Sequence, residues 1–410
     1  MRAIEKFETC LATVIAILVM QMVHAEEFKV NAEKAKRRPK VFYSVFNNGY
    51  AGDNLPKDIS QFDKMTKTLS EQGNFNAIMG MYTAERLEIC RKYGMKMMVD
   101  LLVADHHVYK NTKGYQALLK KLQGNETVFA YHVWADKFGK MGAGRARDIN
   151  NVHQWDPTHA TYIGTYRNGG IRHLAGSDYI SYYDFHWKRG PDGNFPHLLS
   201  ALRTAQSDDG RVGRYFATDP SFGRTGEGNY RRSLYSLNTS IACGLKACMW
   251  FIGSRIMNMN TQELNGLGKD LGRVNAWVMP MKHEIPKLGN PVAVYSTPIT
   301  KSLKNRALPG EKTEMMPPGL SNNAIPKDFW VQADSGEFAM GVFKDDEGRD
   351  AIYLANHNTY AGQDVKLKIS NGKKPSFFNR ETAKWEAMQV TENSVSFKLE
   401  DAGGALIHFE

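Results

Sequence analysis

Cysteine is scarce. The chain of 410 residues has four, and Cys10 lies in an apolar N-terminal segment. Cys90, Cys243 and Cys248 remain, an odd number that describes no disulfide framework. They also lack the paired spacing of a zinc site. Cys243 and Cys248 sit in the apolar stretch IACGLKACMWF, where buried thiols are expected rather than a bridge. The sequence shows no internal repeat. No glycine-rich phosphate loop follows the first apolar run: NNGYAGDN (47–54) is not one. That counts against a doubly wound sheet, the second choice of fold. No recognisable nucleic-acid module is present, and no apolar segment beyond residue 25 is long enough to span a bilayer.

What is present begins with LATVIAILVMQMV, followed by VHA. This apolar run, short for a membrane span and followed by small-residue cleavage after Ala25, predicts a secretory signal over residues 1–25. An uncleaved anchor is the alternative. A secreted or periplasmic protein is expected, with no stable membrane partner. The formal net charge is +10. It is unchanged without residues 1–25, because Arg2 and Lys6 cancel Glu5 and Glu8. Such a surface attracts polyanions. With nucleic acid set aside, a sulfated or uronate polysaccharide suits export; a merely solvated basic surface is the plain alternative.

From about residue 40 to 289 short apolar runs alternate with amphipathic stretches. The runs are 41–50, 75–82, 95–107, 128–136, 160–166, 178–187, 213–220 and 245–254. Segments such as TAERLEICRKYG and YQALLKKLQG lie between them and end at glycine, as helix C-termini often do. Eight strands, most with a helix between them, predict a (β/α)8 barrel over 40–289, after an N-terminal linker at 26–39. Beyond 290 the texture changes to short alternating strands between Gly, Asp and Asn turns. An antiparallel β-sandwich over 290–410 is expected. A Lys-, Pro- and Asn-rich insertion at 301–327 reads as a long surface loop near the barrel mouth.

In such barrels chemistry sits at the C-terminal ends of the strands. Side chains alternate along a strand, so Ala130, His132, Trp134 and Asp136 are expected on one face of TVFAYHVWADKFG. Asp100 and His106 share a face of the third run, Asp184 and His186 of the sixth, with Trp187 beyond. Asp219 ends the seventh, Trp250 lies on the eighth, and Asn47 and Asn48 end the first. Asp100 has a second reading, a buried ion pair that holds the barrel together. Glycoside hydrolysis needs two carboxyl groups across one bond, ~5–5.5 Å apart for retention and ~6.5–9.5 Å for inversion. Asp136 and Asp219 are the expected catalytic pair, with Asp184 and Glu227 in reserve. His186 is expected to orient a carboxylate or act as an acid. Trp134, Trp187 and Trp250 are expected to be sugar platforms. Asn47, Asp100, His106, His132 and Arg255 are expected to touch substrate, with Arg255 and the basic loop suited to sulfate or carboxylate groups.

The chain resembles the secreted (β/α)8 glycoside hydrolases of the β-galactosidase-like superfamily, over most of residues 40–410. In that group the fourth strand often ends Gly-Tyr-His-x-x-Asp-Glu-Pro, and the Glu is the proton donor. Ala130, Tyr131 and His132 match its start, and Asp136 falls where that Glu stands; Ala135 and Lys137 depart from the pattern. WDPTHATYIGTY, YYDFHW and GLKACMWF resemble the stretches at the fifth, sixth and eighth strands. FNRETAKWE and GGALIHFE resemble the C-terminal sandwich. The seventh strand should end in a nucleophilic Glu in retaining members and ends here in Thr218 and Asp219. An Asp nucleophile, an inverting mechanism and a lost activity all fit that departure.

The resemblance implies a glycosidase with a carbohydrate substrate, and neither a cofactor nor a metal is expected. The rivals are a non-catalytic carbohydrate-binding protein on the same barrel and a metal-dependent phosphoesterase. The second rests on Asp105-His106-His107, the signature of the DHH phosphoesterases. Adjacent residues of a strand point to opposite faces, so the two histidines cannot both ligate one metal without a bend.

Overall fold

A computed structural model of the chain describes residues 37, 40–48, 55–101, 112–135, 143–165, 177–182, 214–218, 230–251, 253–300, 314–315, 324–358 and 361–410. Residues 39–410 form one compact unit. Eight parallel strands close into a barrel in sequence order. They are β1 (Tyr43–Asn47), β2 (Ala77–Gly80), β3 (Lys96–Asp100), β4 (Val128–Ala135), β5 (Ala160–Thr165), β6 (Tyr179–Tyr182), β7 (Arg214–Thr218) and β8 (Ala247–Phe251). All eight lie inside the runs expected from the sequence. The ring is completed by β8 pairing with β1, with Tyr43 opposite Ala247 and Asn47 opposite Phe251.

The helices begin and end for local reasons. In α1 (Ile59–Glu71) the carboxylate of Asp58 accepts from the backbone N–H of Ser60 and Gln61 at 2.8 and 3.0 Å. It thereby satisfies two donors of the first turn. Thr83 does the same for α2 (Ala84–Lys92) through the N–H of Arg86 at 3.1 Å. Gly94 and Gly124 follow α2 and α3 (Thr112–Leu122) with φ of +66° and +71°, a conformation that suits glycine. After α1 that role falls to Asn74, φ +49°, rather than to Gly73. The helices α4 (Ala143–Trp155), α5 (Tyr230–Ala242) and α6 (Gly266–Val278) complete the described shell.

Strand alternation divides the barrel residues into two cores. Tyr43, Val45, Ala77, Met79, Met98, Ala130, Ala160, Tyr162, Ala247 and Met249 fill the interior. Phe42, Phe46, Ile78, Met97, Val99, Tyr131, Val133, Cys248 and Trp250 face the helices. Two bulges break the alternation of β4. Its register against β3 slips at Phe129, so Phe129 and Ala130 both join the inner cluster. Its register against β5 slips between His132 and Trp134.

The cysteines behave as expected. Cys90, Cys243 and Cys248 are buried, with no disulfide among them. Burial pushes the thiols of Cys90 and Cys248 up to about 12, which keeps them unreactive.

The C-terminal part is a sandwich of two antiparallel sheets. Its strands are β9 (Ala293–Ser296), β10 (Val331–Ser335), β11 (Phe338–Lys344), β12 (Asp350–Asn356), β13 (Gln363–Ile369), β14 (Pro375–Asn379), β15 (Lys384–Ala387), β16 (Ser394–Leu399) and β17 (Gly404–Phe409). The larger sheet runs β9-β11-β12-β17-β14-β15 and the smaller β10-β13-β16. The hairpin β14–β15 spans FNRETAKWE, one of the stretches that resembles such a sandwich. Its turn carries Ala383 at φ +52°, where glycine or asparagine would have signalled it. Between the sheets lie Phe338, Met340, Ile352 and Leu354 on one side, and Val365, Leu367, Val395 and Leu399 on the other. The other face of the larger sheet is also buried: Ala339, Phe343, Ala351, Tyr353 and Ala355 belong to the core shared with the barrel helices.

Contact with α5 is close. A Cβ on Gly341 would lie 2.0 Å from the carbonyl oxygen of Ala242. Tyr353 donates its O–H to Asn238 at 2.6 Å, and Asn238 donates to the carbonyl of Ala402 at 2.9 Å. His357 is fully buried between the hydroxyl of Tyr235 on α5, at 2.7 Å, and that of Ser296 on β9, at 2.8 Å.

Two outcomes follow. Gly341→Ala is expected to lower stability by at least about 1–3 kcal/mol through overpacking against backbone, read as a lower urea midpoint at unchanged m-value. Burial also lowers the His357 imidazole from 6.5 to about 3. The folded chain holds it neutral while the unfolded chain protonates near 6.5, so this contribution is complete above pH 6.5 and drains as pH falls toward 3. The slope is at most about 1.4 kcal/mol per pH unit. Thermal unfolding of His357→Gln is expected to show a flatter decline with acid than the natural chain over that window; parallel declines would contradict it.

Candidate functional site at the barrel mouth

The upper end of the barrel interior is polar. Asn47 and Asp100 are the last residues of β1 and β3. His132 stands opposite Asp100 in the β3–β4 ladder and opposite Tyr162 in the β4–β5 ladder. All four side chains belong to the inward-facing set and all are nearly enclosed. The Nδ1 of His132 lies 3.1 Å from the Oδ1 of Asp100. The imidazole tilts against the ring of Tyr162, with centroids 5.1 Å apart. Asn47 donates through Nδ2 to the sulfur of Met249 at 3.0 Å, and Tyr162 offers its O–H to the same sulfur at 3.5 Å. Five residues from five strands thus form one continuous cluster. The lower end is different: Tyr43 stacks on Phe129 at 4.3 Å, and alanine and methionine side chains fill the middle. The barrel is plugged from below and polar above.

The structure places Asp100 at the end of β3 beside His132. It is a buried partner of a histidine, and it lies at the strand ends. Tyr162 was not foreseen, although the pattern Ala160-x-Tyr162 on one face carried the signal.

Trp250 corrects an expectation. It lies between Met249, which faces inward, and the helix layer, and it is fully enclosed. Its indole N–H is shared by the Ser44 hydroxyl at 2.9 Å and the Asn275 carbonyl oxygen at 3.0 Å. A ring with no accessible face cannot stack on a sugar, so Trp250 is a structural residue. The bulge in β4 corrects a premise as well: Trp134 stands opposite Ile163, one residue beyond Tyr162 but two beyond His132. Strict alternation from His132 to Trp134 and Asp136 is interrupted there.

Arg255 is exposed, on the short helix Gly253–Ile256 that follows β8. Asp136, Asp184, Asp219, His106, His186, Trp187 and Glu227 lie outside the described residues, as does the side chain of Trp134. So does Asp105-His106-His107; among the described residues no group of three metal-ligating side chains is gathered. No helix among them is long and apolar enough to cross a membrane.

The beginning of the stretch WDPTHATYIGTY, residues 155–161, serves the opposite end of the barrel. Asp156 accepts from Tyr131 and His159, each at 2.6 Å, and from the N–H of Thr158 at 2.8 Å. Burial would raise this carboxyl, but the hydrogen bonds hold it at about 2. Asp178 accepts from His153 and from the N–H of Thr161, both at 2.8 Å. These clamps sit near the starts of β5 and β6, away from the mouth.

No protein-family model matches the chain, and no curated protein does. Solved structures match. The β-L-arabinopyranosidase of Geobacillus stearothermophilus superposes with a TM-score of 0.50 at 7% identity, over 92% of this chain and 97% of that one. The GH51 arabinofuranosidase of Xanthomonas axonopodis pv. citri gives 0.48 at 9% identity, over 91% and 97%. The α-amylase of Geobacillus thermoleovorans gives 0.47 at 12% identity, over 90% and 98%. The first of these shares the fold of this chain over nearly its whole length. The (β/α)8 barrel with a C-terminal antiparallel sandwich is therefore a fold found among glycoside hydrolases.

Trp250→Phe tests the correction. It is expected to cost about 1–3 kcal/mol of stability by stranding hydrogen bonds of Ser44 and Asn275, and to leave carbohydrate binding unchanged. Lost binding at unchanged stability would return Trp250 to the site.

Proposed function

We propose that the protein is a glycoside hydrolase acting on a polysaccharide or oligosaccharide by a two-carboxylate mechanism. The observation that carries this reading is the polar cluster of Asn47, Asp100, His132 and Tyr162 at the C-terminal end of a closed barrel whose lower levels, among the described residues, are lined mainly by aromatic, alanine and methionine side chains. A barrel built only to be stable would continue its aliphatic filling to the top. Polar groups enclosed there are costly unless bonded to one another or to a ligand.

The proposed acids are Asp136, Asp219 and, in reserve, Asp184. Asp136 is the next residue after β4 and Asp219 the next after β7, three strands apart in a ring of eight. One carboxyl would protonate the leaving oxygen. The other would attack the anomeric carbon or activate water. Trp134 and Trp187 are proposed as sugar platforms. Arg255, exposed just past β8, is proposed to hold acidic groups of a longer chain together with the basic segment 301–327. An exported location is proposed from residues 1–25.

One observation favours the non-catalytic rival: the seventh strand ends in Thr218 and Asp219, without the glutamate of the enzymes that the sequence resembles. The two readings part on Asp136→Asn. In a hydrolase it is expected to lower kcat roughly 100- to 10,000-fold while glycan binding by calorimetry persists. Unchanged turnover would remove Asp136 from the mechanism. Glycan binding with no turnover by the natural chain, across neutral, sulfated and uronate glycans, would favour the binding protein.

A further inference from the structure

We infer that the C-terminal sandwich carries a second glycan-binding surface, a row of Tyr295, Phe329 and Trp330 flanked by lysines, which takes an anionic polysaccharide chain. None of these residues belongs to the barrel. The inference rests on the reading of the protein as one that handles carbohydrate.

The rings are set by the backbone that carries them. The segment entering β10 folds back on itself: Phe329 donates its N–H to the carbonyl of Pro326 at 2.9 Å. The Gln332 amide donates to the carbonyls of Pro326 and Phe329, both at 2.7 Å. The carbonyl of Trp330 accepts from the N–H of Ser370, just past β13, at 2.9 Å. Tyr295 of β9, Phe329 and Trp330 thus form a row with successive centroids 5.1 and 5.4 Å apart. Phe409 anchors its far end, perpendicular to Trp330 at 4.7 Å. All three rings pack against the sandwich core, yet each is only half-buried.

Trp330 differs from Trp250 in the way that matters. Trp250 is sealed and its N–H is shared by two acceptors. The indole N–H of Trp330 and the O–H of Tyr295 have no hydrogen-bond partner among the described residues. A half-buried Trp or Tyr keeps such a polar tip on its wet side. An apolar ring beside a free donor matches a pyranose, which lays C–H groups on the ring and offers a hydroxyl to the donor. A protein partner matches less well. Three aromatic side chains of about 150–250 Å² each fall short of the ~800 Å² that a stable interface covers on one side. The remainder would have to come from lysines, which interface cores disfavour.

The lysines select the kind of glycan. Lys327 ends the basic insertion two residues before Phe329, and Lys368 and Lys374 lie on either side of Ser370. All three are exposed, and none has an ion pair among the described residues. Asp328 offsets one of them. The row is therefore bordered by positive charge that the fold leaves uncompensated, which suits carboxylate or sulfate groups spaced along a sugar chain.

The test is native electrophoresis of the full chain through gels holding polygalacturonate, dextran sulfate or neutral dextran, beside hydrolysis of small aryl glycosides. The natural chain is expected to be retarded by an anionic gel more than by dextran. Trp330→Ala is expected to weaken that retention roughly 10-fold, and Trp330→Phe, which keeps a ring against Phe409, roughly 2- to 10-fold through the lost N–H. The pair Lys327→Gln and Lys374→Gln is expected to weaken it and to flatten its dependence on salt. Turnover of small glycosides is expected to stay unchanged in all of them. Retention unaffected by every variant, or equal retention in neutral dextran, would overturn the inference and leave the hydrolase standing. A natural chain that neither binds nor cleaves any glycan would sink both. The folded natural chain gives an independent reading by nitrogen-15 NMR. The indole N–H signal that Trp330→Phe removes is expected to shift on adding short uronate oligosaccharides, and a signal that stays put would overturn the assignment.

Discussion

The pairing of β8 with β1 is the contact on which the rest depends. Once the ring is closed, each strand has a narrow inside and a broad outside, and every side chain must belong to one or the other. The seam is held by more than its ladder. Ser44 donates to Asn275 at 2.6 Å and accepts from Trp250, while Asn275 donates to the carbonyl of Gly73 at 2.7 Å. Strand β1, strand β8, helix α6 and the turn after α1 meet at these three side chains. Buried polar groups are tolerable there because each is bonded. A close approach enforces the same register: a Cβ on Gly272 of α6 would meet the carbonyl oxygen of Gln72 at 2.7 Å.

From that division comes the chemistry of the mouth. Alternation sends Asn47, Asp100, His132 and Tyr162 inward near the strand ends, and it sends Trp250 outward. The bulges in β4 let one strand satisfy two neighbours of different register, and bulges often accompany functional rims. The cluster is tied together by short contacts across five strands, so its geometry is set by the barrel and not by loops.

Much of this was legible in the residues. The eight strand runs stood out because a parallel barrel strand is buried on both faces and reads as a short apolar block. Asp100 and His132 were visible as charged or polar residues inside such blocks. Trp250 was misread because a bare strand pattern does not say which of its two faces is inside; the neighbouring Met249 took the inner place. The step at Val133 was hidden for a related reason, since a bulge is a property of two strands in register and not of either alone. The hairpin β14–β15 was marked by the resemblance of FNRETAKWE and not by its turn, which alanine and not glycine makes. Tyr162 could have been found by counting in twos from Ala160.

The six-stranded sheet has a further consequence. One face closes the sandwich and the other is pressed on α5, with Gly341 left bare so that the backbones can meet. The change in sequence texture near residue 290 is thus not a seam along which the chain comes apart. In evolution such a C-terminal unit would be inherited with its barrel rather than shuffled as a detachable appendage, because losing it would leave the helix layer with an uncovered greasy flank.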